Sequence, residues 1–288
     1  MKKLSFQNII LKLQSFWSDL GCTILQPYDL EMGAGTFHPA TVLSPMIKKD
    51  FWYVAYVQPV RRPTDSRFGK HPNRVQHYYQ FQVLLKPTPK DMQDMYLRSL
   101  RALNIDENND IRFIEDDWQS PTLGAFGLGW EVQCNGMEIS QFTYMQQVAG
   151  QLCRPPLGEI TYGLERVAMY VQGASSIAEI IWSYDPKGEP IFYKDIDFSS
   201  EEEFSHFNTR YADVEILRRH FADCTIQCEK LAKDNLPYVA YDFCIKSSHL
   251  FNLLDSLGAL SVIERGVMIN KVKDLAKMCS VSLINKNS

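Results

Sequence analysis

At 288 residues the chain is long enough for one large domain or two moderate ones, and a 45% apolar content is sufficient for a real core. The formal charge of −4 argues against a chain that grips a nucleic-acid backbone over its whole surface. Seven cysteines, an odd number with no Cys-x-x-Cys pair, point to reduced thiols in a cytosolic protein rather than to a disulfide framework.

The N-terminus begins Met1-Lys2-Lys3, but Gln7, Asn8, Lys12, Gln14 and Asp19 interrupt the apolar run that a signal peptide or membrane span requires. Phe6, Ile9, Ile10, Leu13, Phe16, Trp17 and Leu20 instead recur at helical spacing, which predicts a soluble amphipathic helix over 6–20, stopped by Gly21. A short strand up to Gln26-Pro27 follows. Residues 52–60, rich in Tyr, Trp and Val, read as a strand, and 78–85 as its return. The loop 61–77 between them carries Arg61, Arg62, Arg67, Lys70 and Arg74 against Asp65 alone, a local charge of +4 in an acidic chain. Arginine's planar fork suits phosphate oxygens, so a polyanion fits this loop. On the return strand His77, Tyr79 and Phe81 alternate with Tyr78, Gln80 and Gln82, which sends the two sets to opposite faces.

Further along, 90–103 places Met92, Met95, Tyr96, Leu100 and Leu103 on one helical face, and 111–114 is a short strand. Residues 130–134 and 137–144 flank Asn135-Gly136, the strongest short-range hairpin signal, which implies antiparallel pairing. The run Gly158-Glu159-Ile160-Thr161-Tyr162-Gly163 reads as a strand that enters a helix at Leu164. Arg166 lies in that helix's first turn, where unpaired amides and the positive dipole end favour an anion. Residues 184–200, with Pro186, Gly188 and Pro190, look like a connection. Beyond about residue 201 the strand signals vanish, and three helices are predicted over 213–233, 238–257 and 261–278. His220, Cys224 and Cys228 are spaced to share a helix face and could ligate zinc, but a fourth ligand is missing. Val214, Leu217, Phe221, Cys224, Cys228 and Leu231 form a packing seam that accounts for the cysteines as small core residues. The fold class is α+β: an antiparallel sheet flanked by helices over 1–183, a connection over 184–200 and a C-terminal helical domain over 201–288.

Three segments resemble the signature motifs of class II aminoacyl-tRNA synthetases. The helix 6–20 with its Pro27-terminated strand is similar to motif 1, and the arginine, basic loop and His77-x-x-x-Phe81 to motif 2. Gly163-Leu164-Glu165-Arg166 with its apolar helix is similar to motif 3. The usual Arg-x-Glu of motif 2 is absent, since Arg61-Arg62-Pro63-Thr64-Asp65 stands in its place. Longer strings narrow the resemblance to the α-subunit family of bacterial heterotetrameric glycyl-tRNA synthetases. They are Gln26-Pro27 with 31–41, Gln58-Pro59-Val60-Arg61-Arg62-Pro63-Thr64-Asp65, 73–82, 121–132 and Asn135-Gly136-Met137-Glu138. The resemblance is close over 5–183 and looser beyond.

That resemblance implies activation of glycine by ATP to glycyl-adenylate, then transfer to the 3′ end of tRNA(Gly). It implies Arg61 at the α-phosphate with Arg62 as substitute, His77 and Arg74 at the β/γ end, Phe81 stacked on adenine, and Arg166 closing from the opposite side. Magnesium would bridge the phosphates, with Glu131 or Glu138 as ligand. Thr36, Gln80, Gln82, Trp118 and Glu159 would form the glycine site, Glu159 facing the ammonium; Trp118 fits equally well as a core or rim aromatic. Motif 1 implies a homodimer of α chains, and the family pairs two of these with two larger β chains that hold most tRNA contacts. A membrane association is not expected, and a cytoplasmic location is. Two alternatives stay open at this point: another carboxylate-activating enzyme of this fold, such as an asparagine synthetase or a biotin ligase, and a non-catalytic tRNA-binding paralogue.

Overall fold

A computed structural model describes residues 2–288 apart from Lys49 and Glu107, with Asp197 described by its backbone alone. The chain opens with helix α1 (Phe6–Asp19), which buries Phe6, Ile9, Leu13 and Trp17, the residues its spacing selects. It stops before Gly21, whose φ of +89° suits glycine. The strand β1 (Thr23–Ile24) and the short helices α2 (Pro39–Val42) and α3 (Ser44–Ile47) lead to the long hairpin strands β2 (Trp52–Arg61) and β3 (His77–Lys86). Then come α4 (Met92–Ala102), β4 (Ile111–Glu115), β5 (Trp118–Ser120), β6 (Ala125–Cys134), β7 (Met137–Val148), β8 (Gln151–Gly163) and α5 (Leu164–Gln172). The hairpin β9 (Ile181–Tyr184) and β10 (Pro190–Phe192) precedes α6 (Lys194–His206), α7 (Val214–Lys233), α8 (Pro237–Ser256) and α9 (Val262–Asn287).

The described residues form an eight-stranded sheet in the order β1-β2-β3-β8-β7-β6-β4, with β5 also paired to β6. Only the β1–β2 pair in this sheet is parallel. Asn135 and Gly136 both take positive φ (48° and 84°) at the β6–β7 turn, as a two-residue hairpin loop requires. Period-two alternation gives the sheet two apolar faces. On one, Ala55, Phe81, Val83, Ile160 and Tyr162 pack under α1, α4 and α5. On the other, Val54, Tyr56, Leu84 and Leu157 pack with α2, α3 and the C-terminal helices through Cys228, Cys244, Ile245, Val272 and Cys279. Of the seam expected on α7, Leu217 and Cys228 are buried while Cys224 is half-buried; Thr225 and Ala232 complete the inward face. No helix among the described residues is long and apolar enough to cross a membrane.

Two expectations change. The motif-1-like strand is only two residues long. The segment 184–200 is not a bare connection: it forms most of a hairpin and the start of α6, which runs across residue 201 and continues as a π turn over Phe207–Tyr211. The sequence of α6, KDIDFSSEEEFSH, has no clean apolar stripe, because its buried positions include the polar Glu201 and Ser205 beside Phe198, which packs on the core.

Candidate active site

A cavity of about 400 Å³ opens beside the ends of β3, β7 and β8. Its walls are Tyr78 and Gln80 from β3, Glu138, Ile139, Ser140 and Gln141 from β7, and Thr161 and Gly163 from β8. Glu165 and Arg166 enter from the first turn of α5, Arg62, Asp65, Asn73 and Arg74 from the loop between β2 and β3, Thr36 from a 3₁₀ turn, and Trp118 from β5. The strand pleat explains the selection from β3, since Tyr78, Gln80 and Gln82 share one face.

Three guanidinium groups border the cavity. The Arg62 Nε donates to the Gly33 carbonyl at 2.8 Å, and its guanidinium lies 5.3 Å from the centre of the Tyr78 ring. Burial pushes the Tyr78 phenol up to about 12 despite that positive neighbour. The Arg74 Nε sits 3.7 Å from the Asp65 carboxylate, and Arg166 pairs with Glu138 across from α5 to β7. Convergent arginines over strand ends, with a helix N-terminus among them, make an oxyanion site.

The floor is a buried polar network. Gln80 Oε1 accepts from the Gly35 amide at 2.7 Å, and the Tyr56 hydroxyl donates to the Gly35 carbonyl at 2.9 Å. The Thr36 hydroxyl donates to Glu159 at 2.7 Å, Gln82 Nε2 donates to the same carboxyl group, and the Thr161 hydroxyl donates to Gln82 Oε1 at 2.8 Å. Burial drives the Glu159 carboxyl up to about 8, against the pull of the Thr36 hydroxyl. A Cβ on Gly35 would come within 2.8 Å of Gln82 Oε1, so the glycine lets the turn approach this network closely.

Among the residues expected from sequence, Thr36, Arg62, Arg74, Gln80, Trp118, Glu138 and Arg166 line the cavity together. Gln82 and Glu159 lie directly behind Thr36 rather than on the surface. Four other residues expected at the site lie outside the cavity lining. Arg61 ends β2 with its side chain outside the cavity lining, its guanidinium 4.2 Å from the centre of the Phe204 ring. Its neighbour Arg62, in the loop just past the end of β2, lines the cavity instead. Phe81 is fully buried in the core against Tyr162, and His77 shares its strand face, packed on Tyr79. Neither reaches the cavity. Glu131 lies on β6, where Gln133 Nε2 donates to it at 2.7 Å, and is also outside the lining.

Of the two carboxylates expected to hold magnesium, therefore, Glu138 alone lines the cavity, and Arg166 engages it. Among the described residues no group of three His, Cys, Asp or Glu could hold a metal ion. This donor set does not fit a metal site built from protein ligands, and no chemical step below is drawn through one.

Sequence reasoning missed Tyr78, Asp65 and Glu165. Tyr78 was legible, because it alternates in phase with Gln80 and Gln82. Glu165 reads as a surface charge in sequence, yet it is buried and accepts from the Tyr79 amide at 2.9 Å and the Tyr193 hydroxyl at 3.0 Å.

A mostly antiparallel sheet flanked by helices, with arginines from a β2–β3 loop and from a strand-to-helix turn meeting at its end, is the arrangement of a class II aminoacyl-tRNA synthetase. Two solved structures of a pyrrolysyl-tRNA synthetase from Desulfitobacterium hafniense align weakly, with TM-scores of 0.43 and 0.42 at 13% and 12% identity. They cover 66% of this chain in each case, and 75% and 77% of theirs. A model of the glycyl-tRNA synthetase alpha subunit family matches residues 6–288, and the chain belongs to that family. It is 58% identical over 288 residues to the glycine–tRNA ligase alpha subunit of Rickettsia canadensis, with 100% of both chains covered. The corresponding subunit of Rickettsia bellii is 59% identical over 280 residues, covering 97% of this chain and 96% of that one. Full-length similarity to one family disfavours both alternatives raised from the sequence.

Proposed function

We propose that the cavity activates glycine with ATP and that this chain, with a β subunit, transfers the glycyl group to the 3′ end of tRNA(Gly). Family membership supports the activity, and the convergence of Arg62, Arg74 and Arg166 on one cavity is the observation that carries its location. In the first step a glycine carboxylate oxygen attacks the α-phosphorus, the bond to the bridging oxygen breaks, and pyrophosphate leaves. The substrate supplies the nucleophile, so the protein needs no Ser, Cys or His for that role. Its contribution is positioning and charge stabilisation. In the second step a terminal ribose hydroxyl of the tRNA attacks the adenylate carbonyl and AMP leaves.

Arg62 is assigned to the α-phosphate, Arg74 to the β/γ end and Arg166 to the opposite side. Tyr78, four residues after Arg74, offers the ring for adenine that Phe81 cannot. Glycine is assigned to the Thr36, Gln80 and Trp118 end, with the Glu159 carboxyl behind Thr36 facing the ammonium, whose positive charge favours release of the carboxyl proton when glycine binds. A wall that clashes with one methyl group discriminates against alanine by roughly 1–3 kcal/mol. Magnesium would arrive on the triphosphate, and of Glu131 and Glu138 only Glu138 borders the cavity that would receive it.

The loop given to ATP has a local charge of +4 in a chain of −4, which supports tRNA contacts held mainly by the β subunit. We assign an α homodimer within an α₂β₂ assembly, and a cytoplasmic location that accords with seven free cysteines. Pyrophosphate exchange with a panel of amino acids, on this chain alone and with β added, tests the reading. Glycine-dependent exchange and β-dependent charging are expected. Exchange driven by another amino acid, or full charging without β, would refute the corresponding part.

A further inference from the structure

The loop that supplies Arg62, Asp65, Asn73 and Arg74 has no regular secondary structure beyond the 3₁₀ turn Pro63–Asp65. A phosphate site made from such a loop works only if something else fixes it, since a misplacement of one ångström erodes positioning catalysis. The sheet holds its two ends, where Arg61 pairs with His77. Between them the φ of Phe68 (57°) and Gly69 (64°) marks a sharp tip.

Helix α6 and its π turn meet this loop along one polar face. Glu201, Ser205 and Asn208 are spaced by four and three, which puts them on the same side of the helix. All three are buried. Glu201 accepts from two consecutive backbone amides, Gln76 at 2.8 Å and His77 at 3.4 Å, where the loop re-enters β3. The Ser205 hydroxyl accepts from the Phe68 amide at 3.0 Å, and the Asn208 amide donates to the Ser66 hydroxyl at 3.1 Å. Both limbs of the loop are thereby tied to one helix. Glu201 is the cornerstone of the set. The two amides address different oxygens of the Glu201 carboxyl group, an arrangement that a carboxylate matches and a side-chain amide, with one oxygen and one NH2 group, does not. A buried carboxylate also requires compensation; the two amides supply it, and Arg61 contributes its positive charge. This gives Arg61 a role outside the cavity.

We infer that Glu201 is a positioning residue for the ATP half-reaction, clamping the amides of Gln76 and His77 so that Arg74, two residues before them, and Tyr78, one residue after, face the nucleotide. The inference rests on the assignment of this cavity to ATP. It predicts an effect confined to one substrate, because α6 touches the nucleotide loop while the Thr36–Gln82–Glu159 network is held by the sheet and the 3₁₀ turn.

The test is pyrophosphate exchange by the chain together with its β subunit, with KM measured separately for ATP and glycine. Glu201→Gln leaves one of the two amides facing a donor, and the ATP KM should rise about tenfold while the glycine KM stays within about twofold. Ser205→Ala should move the ATP KM in the same direction by less, and it decides the matter if Glu201→Gln does not fold. Arg62→Ala serves as the reference. If it impairs ATP use while Glu201→Gln and Ser205→Ala leave the ATP KM unchanged, the clamp is wrong and the cavity assignment stands. Equal rises in both KM values, or a loss of kcat with both unchanged, would also overturn the inference. If Arg62→Ala leaves ATP use untouched, the cavity assignment itself has failed.

Discussion

Glu159→Gln should remove a pH dependence of stability that the native chain carries. The Glu159 carboxyl is 2% exposed, with Thr36 and Gln82 donating to it, and burial raises it from an ordinary 4.5 to about 8. The folded state therefore holds a proton that the unfolded state releases near its ordinary value. The stabilisation is complete below about pH 4.5 and is lost as pH rises, until it is exhausted above about pH 8. Each unit in that window costs roughly 1.4 kcal/mol. Glutamine keeps the shape and most of the hydrogen bonding but does not titrate. The difference in unfolding free energy between the native chain and Glu159→Gln should thus shift by ~2–3 kcal/mol from pH 6 to pH 8, then level off. Urea unfolding at closely spaced pH values measures it, and all other titrating groups cancel in the difference. A difference that stays flat from pH 6 to 8 would show that Glu159 is already ionised in the folded protein.

Arg62→Ala and Arg166→Ala should each reduce adenylate formation by ~10²-fold or more in pyrophosphate exchange, since each removes a fixed charge from the phosphate site. Arg61→Ala, whose side chain lies on Phe204, should lower the melting temperature more than it lowers exchange. Phe81→Ala should destabilise by ~3–5 kcal/mol in urea unfolding, as a fully buried ring does, whereas Tyr78→Ala, at a partly buried ring, should cost less stability and raise the ATP KM. Gly35→Ala should raise the glycine KM with little change for ATP, because the new methyl group displaces Gln82 from between Thr161 and Glu159.

Elements with a strong period were legible. The repeat Phe6, Ile9, Leu13, Trp17 reads as a buried helix face, and Asn135-Gly136 as a hairpin. Helix α6 was not legible, because its inward face is Glu201 and Ser205, continued by Asn208 in the π turn, and polar residues count as solvent-facing in any hydrophobic pattern. The tie between α6 and the loop beginning at Arg62 joins segments more than 120 residues apart, a separation at which one sequence gives no pairing signal. The two-residue β1 was overestimated for the opposite reason: Cys22 to Leu25 looks like a strand locally, but the ladder to β2 pairs Thr23 and Ile24 and adds only one further bond, from the Leu25 amide to the Ala55 carbonyl.

The residues expected at the site that lie outside the cavity share one physical origin. Alternation along β3 separates His77, Tyr79 and Phe81 from Tyr78, Gln80 and Gln82, but it does not say which set faces the ligand. Assigning ATP to the first set and glycine to the second asks one strand to serve a single site from both faces of a sheet. A reaction in which the glycine carboxylate attacks the α-phosphate needs both substrates within about 3–3.5 Å, hence on the same face. That requirement selects the face carrying Gln80, and with it Tyr78. Applied to β2, the same argument rejects Arg61 and admits Arg62 from the loop beyond the strand's end. The opposite face is then free to be mainly apolar, which is why Phe81 and Tyr162 can lie fully buried under α1 and α4. The cavity face is shared with the C-terminal helices, whose Tyr241 hydroxyl donates to the Phe37 carbonyl at 2.8 Å, next to Thr36. The helices after residue 201 therefore support both ends of the cavity, α6 beside the loop that follows Arg62 and α8 beside the turn that carries Thr36.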